Sequence, residues 1–363
     1  MRQNVARGVV FVCSGNVNLN NGFWRGRLSD AQRADYDRLL AGFRNRQVYG
    51  VNGITAADET ALRPILSAVL NDNPELYSLF TGNVSFQKVI GGTAIVTPRF
   101  LDCNGRRFEA AVDKIIRSAN NLRTDYEKAL FVKDFIGDRV VYDYDSLKQV
   151  NELLADKDKS IKLDNPAAFT AYGAIVDRKA TCDGIAKAVC CLLRRLGVQC
   201  VVINGVGRKG GEPHSWNVVR IGGGCYHLDV TNDLVRKEFY FERTYHFFLA
   251  TDTEMYEYFT PDDDGGLVCN SVTDGYYVHN GVRFTSVERL RRYVLDGAYG
   301  EVLAVQYAGG MPASYIQELL KTAAERNITA GGRQYLIRPF AGGKYFMLVK
   351  SKYEIPKRRI KGD

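Results

Sequence analysis

The stretch from Thr181 to Thr231 constrains the fold more than any other part of the chain. Ile185, Val189, Leu192, Leu193 and Leu196 recur at three- and four-residue spacing, which draws one apolar stripe along an α-helix. Gly197 is a stop signal for that helix. Gln199–Val206 is a run of branched residues and reads as a strand, Pro213–Val219 as a second, and Tyr226–Thr231 as a third, with Gly222-Gly223-Gly224 turning the chain between the last two. A helix with one apolar stripe followed by antiparallel strands has to bury that stripe against a sheet, so the expected class is α+β.

The same stretch carries groups that can do chemistry. Thr181, or a residue beside it, is expected to cap the helix, which sets Cys182 in the first turn. A helix N-terminus is a region of positive potential and favours thiolate over thiol, and Arg178 and Lys179 add to it. Taken alone, a cysteine at a helix start is usually packing, and Cys190, Cys191 and Cys200 read as core. The two later strands change that. If Gly222 and Gly223 make a two-residue turn, Ile221 faces Gly224, His214 lies opposite Thr231, and Asp229 is the diagonal neighbour of His214 on the same face. A three-residue turn without a bulge would put Asp229 on the wrong face. A Cys at a helix start with a His and a carboxylate on one sheet face is what thiol catalysis requires.

Tyr172-Gly173-Ala174, Cys182-Asp183-Gly184, Gly197-Val198, Gly205, His214-Ser215-Trp216-Asn217 and Tyr226-His227-Leu228-Asp229-Val230-Thr231, in this order, resemble the core of the transglutaminase-like superfamily. The resemblance is close over 165–232 and loose over 107–250; Phe131–Tyr144 is similar to the helix and Val-x-Tyr-Asp element that often precedes that core, and Asn73–Tyr77 more weakly to an N-terminal segment of bacterial multidomain members. It implies a papain-like thiol-enzyme fold, a helix carrying Cys packed on an antiparallel sheet carrying His and Asp, with Cys182, His214 and Asp229 as the triad. It implies attack of the thiolate on a glutamine or peptide amide, a thioester, and release by water or an amine, with a peptide or protein as substrate and no metal or cofactor. The backbone N–H of Cys182 is one expected oxyanion donor; the second is left open. Tyr172 and Trp216 are candidate substrate-binding residues beside their packing roles, and Asn217 is expected to bond within the sheet. One departure is Asn232, where many relatives have Trp. Some relatives keep the fold without activity, so a catalytically silent binding or scaffold module is the alternative.

Around this core the sequence divides into a mixed α/β region over 1–105, the catalytic core over 106–262 and a small α+β unit with a basic tail over 263–363. Ser29-x-x-Gln32, Thr55-x-x-Asp58 and Thr124-x-x-Glu127 open helices, with Pro64 at the start or at a kink of the second. Residues 83–101 read as a hairpin around Gly91-Gly92, 107–121 as a helix, and the polar 145–164 as an exposed loop. In the last unit Gly275–Phe284 reads as strand or hairpin, Ser286–Leu295 and Ser314–Ala324 as helices, Glu301–Tyr307 as a strand and Tyr335–Val349 as a hairpin.

The eight cysteines include no C-x-x-C pair, which argues against a structural zinc site or a disulfide framework. A metal site built from Cys190, Cys191, Cys225 and His227 is the weakest rival reading; His227 reads as structural, and His246 and His279 show no partner pattern. The net charge of +8 comes partly from the tail Lys350–Lys361 and lacks the interleaved aromatic pattern of a nucleic-acid binder, so no nucleic acid is expected. Gly205–Gly211 is a basic glycine-rich loop without the order of a phosphate loop. No run approaches a membrane span, and Val9–Val12 is short for a signal peptide. A cytoplasmic location is therefore favoured, with secretion or surface attachment the alternative that bacterial relatives suggest. Oligomeric state is not legible.

Overall fold

The computed structural model describes residues 18–20, 22–79, 84–89, 91–155, 163–240, 243–296, 302–328, 335–340 and 344–350. The N-terminal leader with Cys13 and the tail beyond Lys350 lie outside the described residues. The described residues form two compact units, one within Met1–Arg243 and Phe247–Asp274, the other within Thr244–His246 and Gly275–Asp363. Among the described residues no helix is long and apolar enough to cross a membrane.

The first unit begins with α1 (Asp30–Arg44), β1 (Val51–Ile54), α2 (Glu59–Asp72), β2 (Val84–Lys88) and β3 (Ala94–Pro98). Ser29 and Gln32 form the full capping box that the sequence announces, and β2 and β3 pair antiparallel as the expected hairpin. Pro64 departs from expectation: Asp58 is the N-cap of α2, so Pro64 falls inside the helix. It lies in the second turn, where the missing N–H removes one early hydrogen bond and the helix continues. Leu39, Phe43, Ile65 and Val69 from the two helices close over Ile54, Ala94 and Val96 of the sheet.

Next come α3 (Gly105–Ser118), α4 (Asp125–Arg139), β4 (Val141–Tyr142), α5 (Tyr144–Ala155), β5 (Lys179–Ala180) and α6 (Cys182–Arg195). Helix α5 lies where the polar composition suggested a loop. Its start is fixed by Asp143, buried, whose carboxylate accepts from the Ser146 backbone N–H at 3.1 Å, the Ser146 hydroxyl at 2.8 Å and the Asn165 amide at 2.9 Å. An Asp followed three residues later by a Ser is a capping signal that composition hides.

The central sheet follows: β6 (Cys200–Gly207), β7 (Pro213–Ile221), β8 (Gly224–Leu228), then α7 (Val230–Tyr240), β9 (Phe248–Ala250), α8 (Asp252–Met255) and β10 (Phe259–Pro261). The strand order is β10-β6-β7-β8-β9, all neighbours antiparallel. Ile221 pairs with Gly224, so Gly222 and Gly223 are the two-residue turn, at φ 56° and 89°. Both lie in the left-handed region that such hairpin turns require and that glycine enters without strain. The third strand is shorter than expected: β8 stops at Leu228, and Val230 and Thr231 open a helix instead. The cause is Asp229, whose Oδ1 accepts the backbone N–H of Asn232 at 3.0 Å, an N-cap bond that ends the strand and starts α7.

One face of the sheet packs Ile203, Trp216, Val218 and Cys225 against Phe247, Met255 and Cys269. The other meets α6, and the Asn217 side chain donates to the Ala186 carbonyl of that helix at 3.0 Å. Asn217 therefore ties the cysteine helix to the histidine strand rather than bonding only within the sheet. The α1–α2 region is hydrogen-bonded to this core through Trp24 to the Val202 carbonyl at 2.9 Å and Arg194 to the Asp72 carbonyl at 2.6 Å.

The second unit holds α9 (Tyr276–His279), β11 (Arg283–Phe284), α10 (Val287–Asp296), β12 (Val302–Tyr307), α11 (Ala313–Ile328), β13 (Tyr335–Phe340) and β14 (Tyr345–Lys350). Its sheet order is β11-β12-β14-β13, with β11 parallel to β12 and the β13–β14 hairpin antiparallel. Gly275–Phe284, expected as strand or hairpin, is a helical turn followed by a two-residue strand. Tyr276 stacks on Tyr245 with centroids 3.8 Å apart, and Tyr277 packs on Tyr345; these ring contacts take the place of a strand pairing.

Candidate active site

Three elements converge on one point. Helix α6 presents Cys182 at its first residue, β7 presents His214 near its start, and Asp229 stands between β8 and α7. Thr181 is the N-cap residue of α6, yet its hydroxyl bonds the Ala168 carbonyl at 3.2 Å instead of capping the helix. The N-terminal end of α6 thus packs against the backbone of 166–170. Gly184 makes this approach possible: a Cβ there would stand 2.2 Å from the Ala168 carbonyl oxygen and 2.9 Å from that of Thr170. Both obstacles are backbone. Gly184→Ala is accordingly expected to destabilise the protein by about 1–3 kcal/mol and to displace Cys182; urea unfolding and Cys182 alkylation measured together check it.

His214 Nε2 lies 2.7 Å from Asp229 Oδ2. Cys182 is the other titratable group acting on the ring. The imidazole is almost enclosed, with 10% of its side chain exposed, and Asp229 has 1%. The Phe259 ring stacks on it at 4.3 Å and 22°, and the Trp216 ring lies nearly parallel to it at 5.9 Å. Burial pulls the His214 pKa down, but the Asp229 charge and hydrogen bond, joined by the Cys182 hydrogen bond, push it up to about 10. Burial likewise pushes Asp229 up, yet the His214 charge and bond and two bonds from Asn232 hold it below the usual carboxylate value. At neutral pH the pair is therefore imidazolium and carboxylate.

Two residues that sequence reasoning did not assign complete the picture. Tyr142, buried on β4, pairs with Ala180 two residues before Cys182, and Cys182 is the first titratable neighbour acting on its phenol. Burial and that neighbour raise the Tyr142 pKa, so the phenol keeps its proton. Asn232, noted only as a departure from relatives, places its side-chain amide 2.7 Å from Asp229 Oδ2 and 3.1 Å from His214 Nε2. The signal for Tyr142 was the Val-x-Tyr-Asp element; that for Asn232 was the Asp-x-x-Asn capping pattern.

The candidates Trp216 and Tyr172 are both buried. Trp216 underlies His214 and donates its indole N–H to His227 Nδ1 at 3.0 Å. Tyr172 belongs to an aromatic group with Tyr77 and Phe108. Cys190, Cys191, Cys200 and Cys225 are buried core thiols, and the described cysteines are not joined in disulfides. Among the described residues, His227, Asp252 and Cys269 bring ligand-type atoms within 4.8 Å of one another. His227 Nδ1 accepts from Trp216, so Nε2 carries the proton and donates to Asp252 Oδ1 at 2.8 Å. A metal at Nε2 would require an imidazolate, and the donor set does not fit one. A cavity of about 860 Å³ lined by Arg46, Arg99, Phe100 and Cys103 contains none of the three converging residues.

Residues 113–230 match the family model of the transglutaminase-like superfamily. No curated protein matches the chain significantly. Among solved structures, one described as a TGase is 17% identical over 44% of this chain and 47% of its own, with a TM-score of 0.30. Another, from Cytophaga hutchinsonii and described as a candidate cysteine protease, is 15% identical over 41% of this chain and 61% of its own, with a TM-score of 0.25. The chain spans less than two thirds of either. With an α+β architecture, a helix-borne cysteine and an antiparallel sheet behind it, the matched region, residues 113–230, is a transglutaminase-like core.

Proposed function

We propose that the protein is a cysteine-dependent acyl-transfer enzyme acting on glutamine or peptide amides, with Cys182 as nucleophile, His214 as its acid and base, and Asp229 orienting His214. One observation carries this reading: His214 Nε2 lies 2.7 Å from Asp229 Oδ2, and Cys182, the first residue of α6, is the other titratable group acting on the imidazole. The Cys182 sulfur attacks the amide carbon and the C–N bond breaks. The His214 imidazolium gives its proton to the departing amine or ammonia, and the acyl group rests on sulfur as a thioester. Neutral His214 then takes a proton from water, or from an amine, as that group displaces the thiol. The backbone N–H of Cys182 is one donor for the oxyanion, and the Tyr142 hydroxyl, whose first titratable neighbour is Cys182, is the second. Hydrolysis is the favoured second step, because water is present unless a dedicated amine site excludes it. A peptide or protein is the substrate class.

Iodoacetamide labelling read by peptide mass spectrometry tests the proposal. Cys182 is buried, whereas Cys103 is half-exposed with its pKa pushed up to about 11 by burial and by the charges of Asp177 and Asp102. Among the described cysteines, access alone would put Cys103 first. An activated Cys182 reverses that order, and His214→Ala slows its labelling by about tenfold or more. Labelling ordered by exposure and indifferent to His214 would indicate a silent module.

A further inference from the structure

Asp229 holds two jobs, and they make competing demands. As N-cap of α7 it must offer Oδ1 to the Asn232 backbone N–H, and as partner of His214 it must turn Oδ2 to Nε2. The first job is met by any residue at position 232, because it uses only the backbone. It fixes one oxygen, and the carboxylate plane still has to be set for the second. The Asn232 side chain reaches Oδ2 at 2.7 Å and so holds the oxygen that His214 uses. Its amide nitrogen also lies 3.1 Å from His214 Nε2. Both nitrogens carry protons directed at Oδ2, so that contact is a shared acceptor and not a third hydrogen bond.

We infer that Asn232 is a positioning residue of this site, whose side-chain amide locks the Asp229 carboxylate in the orientation that pairs it with His214. The inference rests on the proposed thiol–imidazole reading and adds a member to it. Asn232 is only partly buried, and among the described residues its side chain bonds Asp229 and approaches His214. The charged or titratable groups facing His214 are Asp229 and Cys182; β10 offers Phe259 and β7 offers Trp216, both uncharged. Asp233, the next residue on α7, turns away to the Phe247 N–H and Lys133. Among the described residues, Asp229 and Cys182 are thus the groups to which a shift of His214 is assigned.

Two variants test it. Asn232→Ala removes the donor and volume; Asn232→Leu removes the donor and keeps the volume. The readouts are the downfield proton resonance of His214 Nε2–H and the ratio of Cys182 labelling by iodoacetate to that by iodoacetamide, each followed against pH. An imidazolium beside the thiol attracts the anionic reagent, so the ratio falls where His214 loses its proton. In the parent protein the resonance is downfield and the ratio falls near pH 10, following the raised pKa. In both variants the resonance weakens and the fall moves to lower pH, while the melting temperature stays close to that of the parent. Titration unchanged in either variant, or a shift in Ala that Leu reverses, overturns the inference. The resonance needs no turnover and no reactive thiol, so failure of the proposed chemistry and failure of this inference are read separately.

Discussion

Asp229→Asn is expected to lower acyl transfer about 10²–10⁴-fold while leaving the fold intact. The substitution keeps shape and replaces a charge. An amide can still cap α7 through its oxygen, so the helix start survives. What disappears is the force that holds His214 charged. Burial alone lowers the pKa of His214, and the Asp229 charge and hydrogen bond are the larger part of what raises it to about 10 from the ordinary 6.5. Without them the lowering by burial is opposed only by Cys182, so the His214 pKa falls and His214 holds less firmly the proton it gives the leaving amine. The linkage to stability has a definite sign. A raised His214 pKa stabilises fully below 6.5, and the contribution is lost as pH rises through about 10. A lowered Asp229 pKa stabilises above the ordinary 3.8, and the contribution is lost as pH falls below it. The parent should therefore lose stability at both ends, and Asp229→Asn should flatten both limbs. Thermal melts across pH, set beside the iodoacetate-to-iodoacetamide ratio, check this; a variant with the parent's pH profile would remove Asp229 from the site.

The parts of this arrangement that were legible are those written in local periodicity. The α6 stripe, the Gly222-Gly223 turn and the pairing of Ile221 with Gly224 all follow from spacing and turn chemistry. Given that register, His214 and Asp229 had to be close. What spacing could not show was that β8 would stop before Thr231, because that depends on Asp229 winning the Asn232 N–H for a helix cap against a strand ladder. The same competition hid α5, where Asp143 begins a helix in a segment whose composition reads as loop. Tyr142 was out of reach for a different reason. It comes to Cys182 through β4–β5, a two-residue parallel pairing between segments nearly forty residues apart, and no local pattern encodes such a contact. Asn217 is similar: its sequence position predicts a sheet face, but only packing shows that α6 supplies its partner.

Cys182→Ser should abolish thioester formation and cut turnover on the order of 10³-fold or more, with little change in melting temperature. Serine nearly matches the volume of cysteine, and position 182 sits at the first residue of α6, where either residue fits the backbone. The substitution leaves Tyr142 and the backbone N–H of residue 182, the proposed oxyanion donors, unaltered. The loss is then confined to the nucleophile, since a serine hydroxyl is far harder to ionise than a thiol and the paired imidazolium has no thiolate to balance. Intact-mass analysis after p-nitrophenyl acetate gives the reading: the parent gains one acetyl group, which peptide mapping places on Cys182, and the variant gains none. Mapping is essential because Cys103, among the described cysteines, is the one thiol that is not buried and would be acylated first at random. An acetyl group on Cys182 that water removes at a rate dependent on His214 would tie nucleophile and base into one cycle. An acetyl group on Cys103 alone, in parent and variant alike, would leave the converging residues as structure and move the search to binding partners.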